Sequence, residues 1–286
     1  MDVKNHNMNK EKPIMRKRFR IIAYLAFFFG IVMAVSQYFE FVSKTVYEES
    51  VSHLTEVFHQ SDNMLGELTH KNLMYLHMWS EYLQDAPSES KIRDYIDKAQ
   101  KDAGFLYFYF LSADGNYKMT TGETGYLGLQ ENIEDEIQKG NDIITNAAVP
   151  GKSQMLVFAS PKAHGSYQGF KYDAIAIAYE NADIVNVLDI SAFNGKAKSY
   201  VLHPDGRVVI DHSLESWGNV YNFFGILREH TDISEKEILK ISKKFKEGHT
   251  GAMLLNLDGK DYYLVYEKSD IQDLSLIHIS EPTRPY

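Results

Sequence analysis

Four residues of the phrase SYVLHPDGRVVIDH (Ser199–His212), His203, Asp205, Asp211 and His212, have the side-chain chemistry of a metal site. Their spacing argues against one. If Asp205-Gly206 is a two-residue hairpin turn, His203 pairs with Val208 and His212 lies about four rows further along. At ~3.3 Å per residue the two imidazoles are more than ~10 Å apart, too far to share an ion. His53, His59, His70 and His77 fall at spacings of 6, 11 and 7. None is the i, i+4 pair that a helical metal site favours, so they read as solvated or interface histidines, with a pH-sensitive contact open to them. PGKS (Pro150–Ser153) has the end of a phosphate loop, but Asn146 stands where that motif needs glycine. QMLVF, which follows, reads as a strand instead of a helix. There is no G-x-S-x-G run, and the absence of cysteine removes thiolate chemistry and disulfides. No catalytic site, no metal site and no cofactor is expected.

What remains is binding chemistry. In FLYFYFL (Phe105–Leu111), strand alternation puts Phe105, Tyr107, Tyr109 and Leu111 on one face and Leu106, Phe108 and Phe110 on the other. A tyrosine face can hold an amphipathic ligand by ring stacking and hydroxyl hydrogen bonds. The candidate ligand residues are Tyr107 and Tyr109, then Tyr117, Lys118 and Thr120 on the partner strand. Ser160 and Lys162 at the end of a third strand, and Asp173 and Tyr179 on a fourth, complete the set. The alternative for each is ordinary sheet surface or core.

These strands lie beyond a membrane segment. Ile21–Phe39, IIAYLAFFFGIVMAVSQYF, carries no charge, and nineteen residues at ~1.5 Å each span roughly 28 Å, a bilayer's hydrocarbon thickness. Residues 1–20 before it are basic, while Glu40–Glu67 holds six acids and one lysine. The positive-inside rule puts the N-terminus in the cytoplasm and the bulk of the chain outside. Ala34-Val35-Ser36 offers a signal-peptidase site as the rival reading. The long basic region and the apolar run continuing through Tyr38 and Phe39 favour an uncleaved anchor. A net charge of −9 over 286 residues argues against nucleic acid as partner.

From Phe41 to Leu83 apolar residues recur at helical spacing without a proline, which predicts a long helix whose stripe needs a partner: its own domain, or the same helix in a homodimer. Pro87 and Ser88 end it, and a short helix over Ser90–Gln100 follows with Ser90 as N-cap. Then one order of elements is written twice. Asp114-Gly115 and Asp205-Gly206, 91 residues apart, each centre a hairpin. Helices follow over Asn132–Lys139 and Ser234–Glu247. Strand pairs come next, QMLVFASP with YDAIAIAYE in the first copy and GAMLLNL with DYYLVYE in the second. NADIVNVLDI (Asn181–Ile190) reads as a linking helix. The expected fold is α+β, with two PAS-like antiparallel-sheet modules, 105–190 distal to the membrane and 191–273 proximal to it.

A basic tail, one membrane helix, a long exported helix and two such modules together resemble the double Cache family. These are the extracytoplasmic sensor domains of bacterial chemoreceptors, sensor histidine kinases and diguanylate cyclases. The resemblance covers roughly Phe41–Asp273 and includes the phrases YVLHPDGRVVIDH and DGKDYYLVYEKSD. It implies a small-molecule ligand in the distal module and a cytoplasmic output, a histidine kinase first and a diguanylate cyclase or chemoreceptor next. Some amino-acid-binding members carry an Arg-x-Trp-Tyr signature. Here arginine is absent between Asp94 and Gly206, and the two tryptophans are Trp79 and Trp217, so an amino-acid ligand of that type is in doubt. The closing SLIHISEPTRPY resembles the translation of a sequencing adapter and continues no pattern set before it. The expectation is that native sequence stops near Asp273 and that the chain is the front part of a receptor.

Overall fold

The computed structural model describes residues 8–85, 88–129, 133–148, 154–187, 197–211 and 222–281. Pro87, Asn132, the PGKS stretch, His212, Trp217 and residues 282–286 lie outside the described residues. The predicted membrane segment and the long helix form one element, α1 (Met8–Asp85). Its section up to Ser50 belongs to one compact unit, and 51–283 form the other. In the first unit the apolar side chains from Phe19 to Phe41 are exposed, and this section holds an 18-residue window of mean hydropathy 2.1. That is long and apolar enough to cross a membrane.

In the second unit, α1 buries Leu54, Val57, Phe58, Leu65 and Trp79 of the stripe expected from its spacing, together with Leu76, while Met64 and Met78 of that stripe are exposed. α2 (Glu89–Ala103) follows, and its cap corrects the expectation. Ser88, at φ −165°, accepts from the Lys91 amide, so the N-cap stands two residues before Ser90. At the other end Gly104 takes φ +78° and closes the helix onto the Gln100 carbonyl.

The seven-stranded sheet, labelled distal and its five-stranded counterpart proximal after the positions expected from sequence, contains β1 (Tyr107–Leu111), β2 (Asn116–Lys118), β3 (Thr124–Tyr126), β4 (Gly128–Leu129), β5 (Ile143–Ala148), β6 (Met155–Ser160) and β9 (Ala174–Glu180). A short ribbon, β7 (Gly165–Tyr167) with β8 (Phe170–Tyr172), stands between β6 and β9, and α3 (Ile133–Lys139) between β4 and β5. After α4 (Asn181–Val187), the proximal sheet contains β10 (Ala197–Leu202), β11 (Val208–Asp211), β12 (Gly251–Leu257), β13 (Lys260–Lys268) and β14 (Ser275–Ser280). Between β11 and β12 lie α5 (Phe223–His230) and α6 (Glu235–Lys246). Strand orders are β3-β2-β1-β9-β6-β5-β4 and β11-β10-β14-β13-β12.

The five-strand run β2-β1-β9-β6-β5 has the same order as β11-β10-β14-β13-β12, so the duplication is topological. Both Asp-Gly turns are built alike. Gly115 and Gly206 take φ +85° and +87°. Before each glycine, a carboxylate accepts the amide two residues on, Asp114 from Asn116 at 3.2 Å and Asp205 from Arg207 at 3.0 Å.

Two expectations need correction. The strand pairs aligned from sequence were out of step: β12–β13 corresponds to β5–β6, and β9 corresponds to β14. Likewise, the end of the chain is not patternless. Ser275–Ser280 pairs with β10 on one side and β13 on the other, and all six residues are buried. A strand covered on both faces need not alternate polar with apolar, and in SLIHIS the buried Ser275, His278 and Ser280 break up the apolar run, which is why it carried no strand signal.

Candidate functional site

The distal sheet has two faces with different partners. One carries Phe108, Phe110, Leu156, Phe158, Ile175, Ile177 and Tyr179 and packs on α1 and α2. The other carries Tyr107, Tyr109, Tyr117, Val157, Ala159, Ala174, Ala176 and Ala178, with Leu127 and Ile133 over it. Alternation in AIAIAYE explains the difference: isoleucines go to the helices and alanines to the opposite side. Three alanines in a row on a central strand make a low floor, and the tyrosines of β1 and β2 form its wall. The ring centroids of Tyr107 and Tyr109 are 5.9 Å apart, and those of Tyr109 and Tyr117 are 4.7 Å apart in a T-shaped contact.

Tyr109 is fully buried, and its hydroxyl has no hydrogen-bond partner among the described residues. Burial raises its pKa well above the phenol range, and the nearby Tyr117, Tyr107 and Glu123 push it the same way. A phenol group buried without a partner costs about 1–3 kcal/mol. Next to it the Tyr117 hydroxyl donates to Glu123 Oε1 at 3.3 Å, with Glu123 itself exposed at the rim. Tyr117 is raised as well, by burial first and Glu123 second. Thr145 of β5, buried opposite Val157, adds a hydroxyl whose contact to the Asn146 carbonyl is long, at 3.4 Å.

The other sequence candidates go elsewhere. Tyr179 points to the helix side, where its hydroxyl donates to Asn72 Oδ1 of α1 at 2.7 Å. Burial pushes its pKa up to about 12, against the lowering effect of that bond. Ser160 is also on the helix side and donates to Asp142 at 2.6 Å. Asp142 meets His77 Nε2 of α1 at 2.7 Å, and Lys162 Nζ lies 3.1 Å from His77 Nδ1. With a lysine donating to Nδ1, His77 donates from Nε2, and the four residues form one strut between α1 and the sheet. Lys118 donates to the Gln168 carbonyl at 3.0 Å. Asp173 accepts the Ala113 amide at 2.8 Å, and the Thr120 carbonyl is held by Arg93 at 2.7 and 3.0 Å. Tyr107, Tyr109 and Tyr117 come together. Lys118, Thr120, Ser160, Lys162, Asp173 and Tyr179 do not join them and have structural partners.

Sequence reasoning missed the alanine floor, Thr145 and Glu123. The alternating Ala-Ile of AIAIAYE was the signal for the floor. Nothing pointed to Thr145, because no element was assigned to Ile143–Ala148. Among the described residues no group of His, Asp or Glu has metal-ligand geometry.

The largest described cleft, about 640 Å³, lies elsewhere, between the start of β5 and the β10–β11 turn. Several of its charges are compensated. Arg207 holds Asp205 at 2.6 Å, and Glu136 holds Lys139 at 2.6 Å. Charged groups that already have partners make a weaker demand for a ligand than a buried hydroxyl with none, so size alone does not decide between the two.

No protein-family model matches the chain, and no curated relative matches it. Solved structures do. The extracellular domain of mmHK1S-Z3, an inferred histidine kinase, superposes with a TM-score of 0.56 at 13% identity, covering 83% of this chain and 95% of that one. The ligand-binding domain of the Pseudomonas aeruginosa amino-acid chemoreceptor PctB, in complex with L-Arg, gives 0.56 at 14% identity, covering 82% and 96%. That of the Pseudomonas fluorescens chemoreceptor CtaA, in complex with L-serine, gives 0.55 at 9%, covering 82% and 98%. The chain has the fold of the extracellular sensor domains of histidine kinases and chemoreceptors.

Proposed function

We propose that this chain is the extracytoplasmic, ligand-sensing input region of a membrane signalling receptor of the double Cache type. Its output is a histidine kinase on this reading, with a chemoreceptor output as the second, because sensor domains of both kinds share the fold. A small molecule binds the tyrosine-and-alanine face of the distal sheet. The observation that carries this is the buried Tyr109 hydroxyl, unpartnered among the described residues, beside a floor of three alanines. The N-terminal section of α1 anchors the chain with its basic end in the cytoplasm. α1 also pairs two copies, since Met64, Met74 and Met78 stay 38–51% exposed on it.

The test is a small-molecule screen on the whole chain in lipid nanodiscs, read by thermal unfolding, with each hit repeated on Tyr109→Phe. Hits that stabilise the parent and lose at least about fivefold in affinity in the variant support the site, since a hydrogen bond contributes about 1 kcal/mol. Hits indifferent to Tyr109→Phe place the ligand elsewhere. Pairing through α1 is checked by sedimentation: the whole chain should associate more strongly than one with charged residues at Met64, Met74 and Met78.

A further inference from the structure

The tyrosine face has a charge character that sets its ligand class, provided that the face is the binding site as proposed. The described side chains that build it are tyrosine, alanine, aliphatic residues and threonine, with one carboxylate, Glu123, at the rim beside Tyr117. Among the described residues, the cations near it are engaged or face away: Lys171 is exposed on the β7–β8 ribbon, whose Phe170 and Tyr172 pack on the helix side. Lys118 follows Tyr117 in β2, so it projects to the opposite face, where it holds the Gln168 carbonyl at 3.0 Å. Arg93 is committed twice to the Thr120 carbonyl, Lys139 to Glu136 at 2.6 Å, and Lys162 to His77.

A carboxylate brought to this face would be desolvated without a counter-charge, a penalty large enough to abolish binding. An ammonium group has the opposite prospects. Tyrosine rings attract a cation within about 6 Å of their centroids, and Glu123 supplies the opposite charge at the mouth. The unpartnered Tyr109 hydroxyl accepts a hydrogen bond from an N–H donor. We infer that this face recognises an organic monocation, an alkyl- or arylalkyl-ammonium without a carboxylate, its ammonium against Tyr107, Tyr109, Tyr117 and Glu123 and its apolar part over the alanines. The α-amino acids bound by PctB and CtaA carry a carboxylate that this face does not accommodate.

Three probes of matched size separate the charge types: n-pentylammonium, hexanoate and norleucine. Each is titrated calorimetrically into the whole chain in nanodiscs, and into Tyr109→Phe and Glu123→Gln variants whose circular dichroism matches the parent. The expected result is binding of pentylammonium alone, weakened on the order of tenfold by Glu123→Gln and about fivefold by Tyr109→Phe. Binding of norleucine or hexanoate that Tyr109→Phe weakens would overturn the cation inference while leaving the face as the site. Pentylammonium binding unchanged in both variants would remove the face itself. No detectable heat from linear alkylammonium ions of three to eight carbons would also sink the inference.

Discussion

Deleting the residues after Asp273 removes the middle strand of the proximal sheet, not a loose end. β14 pairs with β10 over Leu202↔Ser275 to Ala197↔Ser280, and with β13 over Lys268↔Ser275 to Tyr263↔Ser280. Leu274, Leu276, Ile277 and Ile279 are each at most 2% exposed. At about 1.5–3 kcal/mol for each fully buried side chain, these four contribute about 6–12 kcal/mol. Allowing for residual burial in the unfolded chain, that becomes roughly 4–11 kcal/mol. The loss is comparable with a whole domain's stability of about 5–15 kcal/mol. A chain ending at Asp273 should therefore lose the proximal sheet cooperatively. In hydrogen exchange followed by mass spectrometry, amides of β10 and β13 should exchange at unfolded-chain rates while those of β6 and β9 stay slow. Replacing SLIHIS by another apolar strand of similar volume should restore protection, because the argument concerns burial and pairing and not these particular residues. Unchanged protection of β10 and β13 in the shortened chain would refute it.

Other outcomes follow from single positions. Gly206→Ala should cost at least about 2 kcal/mol in urea unfolding, because φ is +87° and a Cβ would sit 2.4 Å from Phe224 Cδ2. Gly140→Ala, with φ +74° and open space around it, should cost only about 1 kcal/mol. Ser234→Ala breaks the capping box of α6, in which Ser234 and Glu237 each bond the other's backbone amide, and should cost about 1 kcal/mol by the same measurement. Alkaline pH should destabilise the fold. Tyr109, Tyr117, Tyr172, Tyr179 and Tyr266 have folded pKa values raised chiefly by burial, Tyr179 to about 12. Their stabilisation is intact below the unfolded phenol pKa near 10 and is lost as pH rises through the folded values. Urea midpoints should be level up to about pH 9 and fall beyond it; a flat profile to pH 11.5 would contradict these burials.

The parts legible in the sequence are those with strong local signals. Both Asp-Gly turns, the β12–β13 hairpin, α3 and α6 stand close to where turn chemistry and periodicity place them. The apolar N-terminal helix and most of the α1 stripe were readable because their apolar patterns run over tens of residues. What failed had no local signal. β3 and β4 are three and two residues long, below the length at which alternation can be counted. IITNAA of β5 is interrupted by two polar residues that the fold buries, Thr145 and Asn146. Asn146 donates to the Val209 carbonyl in the other module at 3.2 Å, a long-range need invisible from neighbours in sequence. For the site, periodicity put Tyr107 and Tyr109 on one face, and that face exists. Proximity along the strands suggested Ser160, Lys162 and Tyr179 as companions. Their side chains project from the opposite side of the pleat, where α1 supplies the partners.

Those partners make α1 more than an apolar brace, and the Asn72–Tyr179 contact shows how. Both side chains are buried, and the phenol donates to Asn72 Oδ1 at 2.7 Å, while Asn72 Nδ2 has no partner among the described residues. Removing Tyr179 leaves Asn72 desolvated and unbonded, and removing Asn72 leaves the phenol only its long contact to the Ala103 carbonyl at 3.4 Å; removing both takes the polar pair away. Tyr179→Phe should therefore cost about 1–2 kcal/mol, and Asn72→Leu about 1 kcal/mol, since the phenol keeps that weaker acceptor. The double variant should be less destabilised than the sum by about 1 kcal/mol, a coupling outside the usual additivity error of about 0.3–0.5 kcal/mol. The cycle is measured by urea unfolding of the four proteins. Strict additivity would mean that the contact carries no energy. A positive coupling would establish that α1 and β9 are held in register by a directional bond. β9 also provides Ala174, Ala176 and Ala178 on its other face, so the strand that floors the proposed site is the one bonded to the helix that carries the apolar N-terminal section.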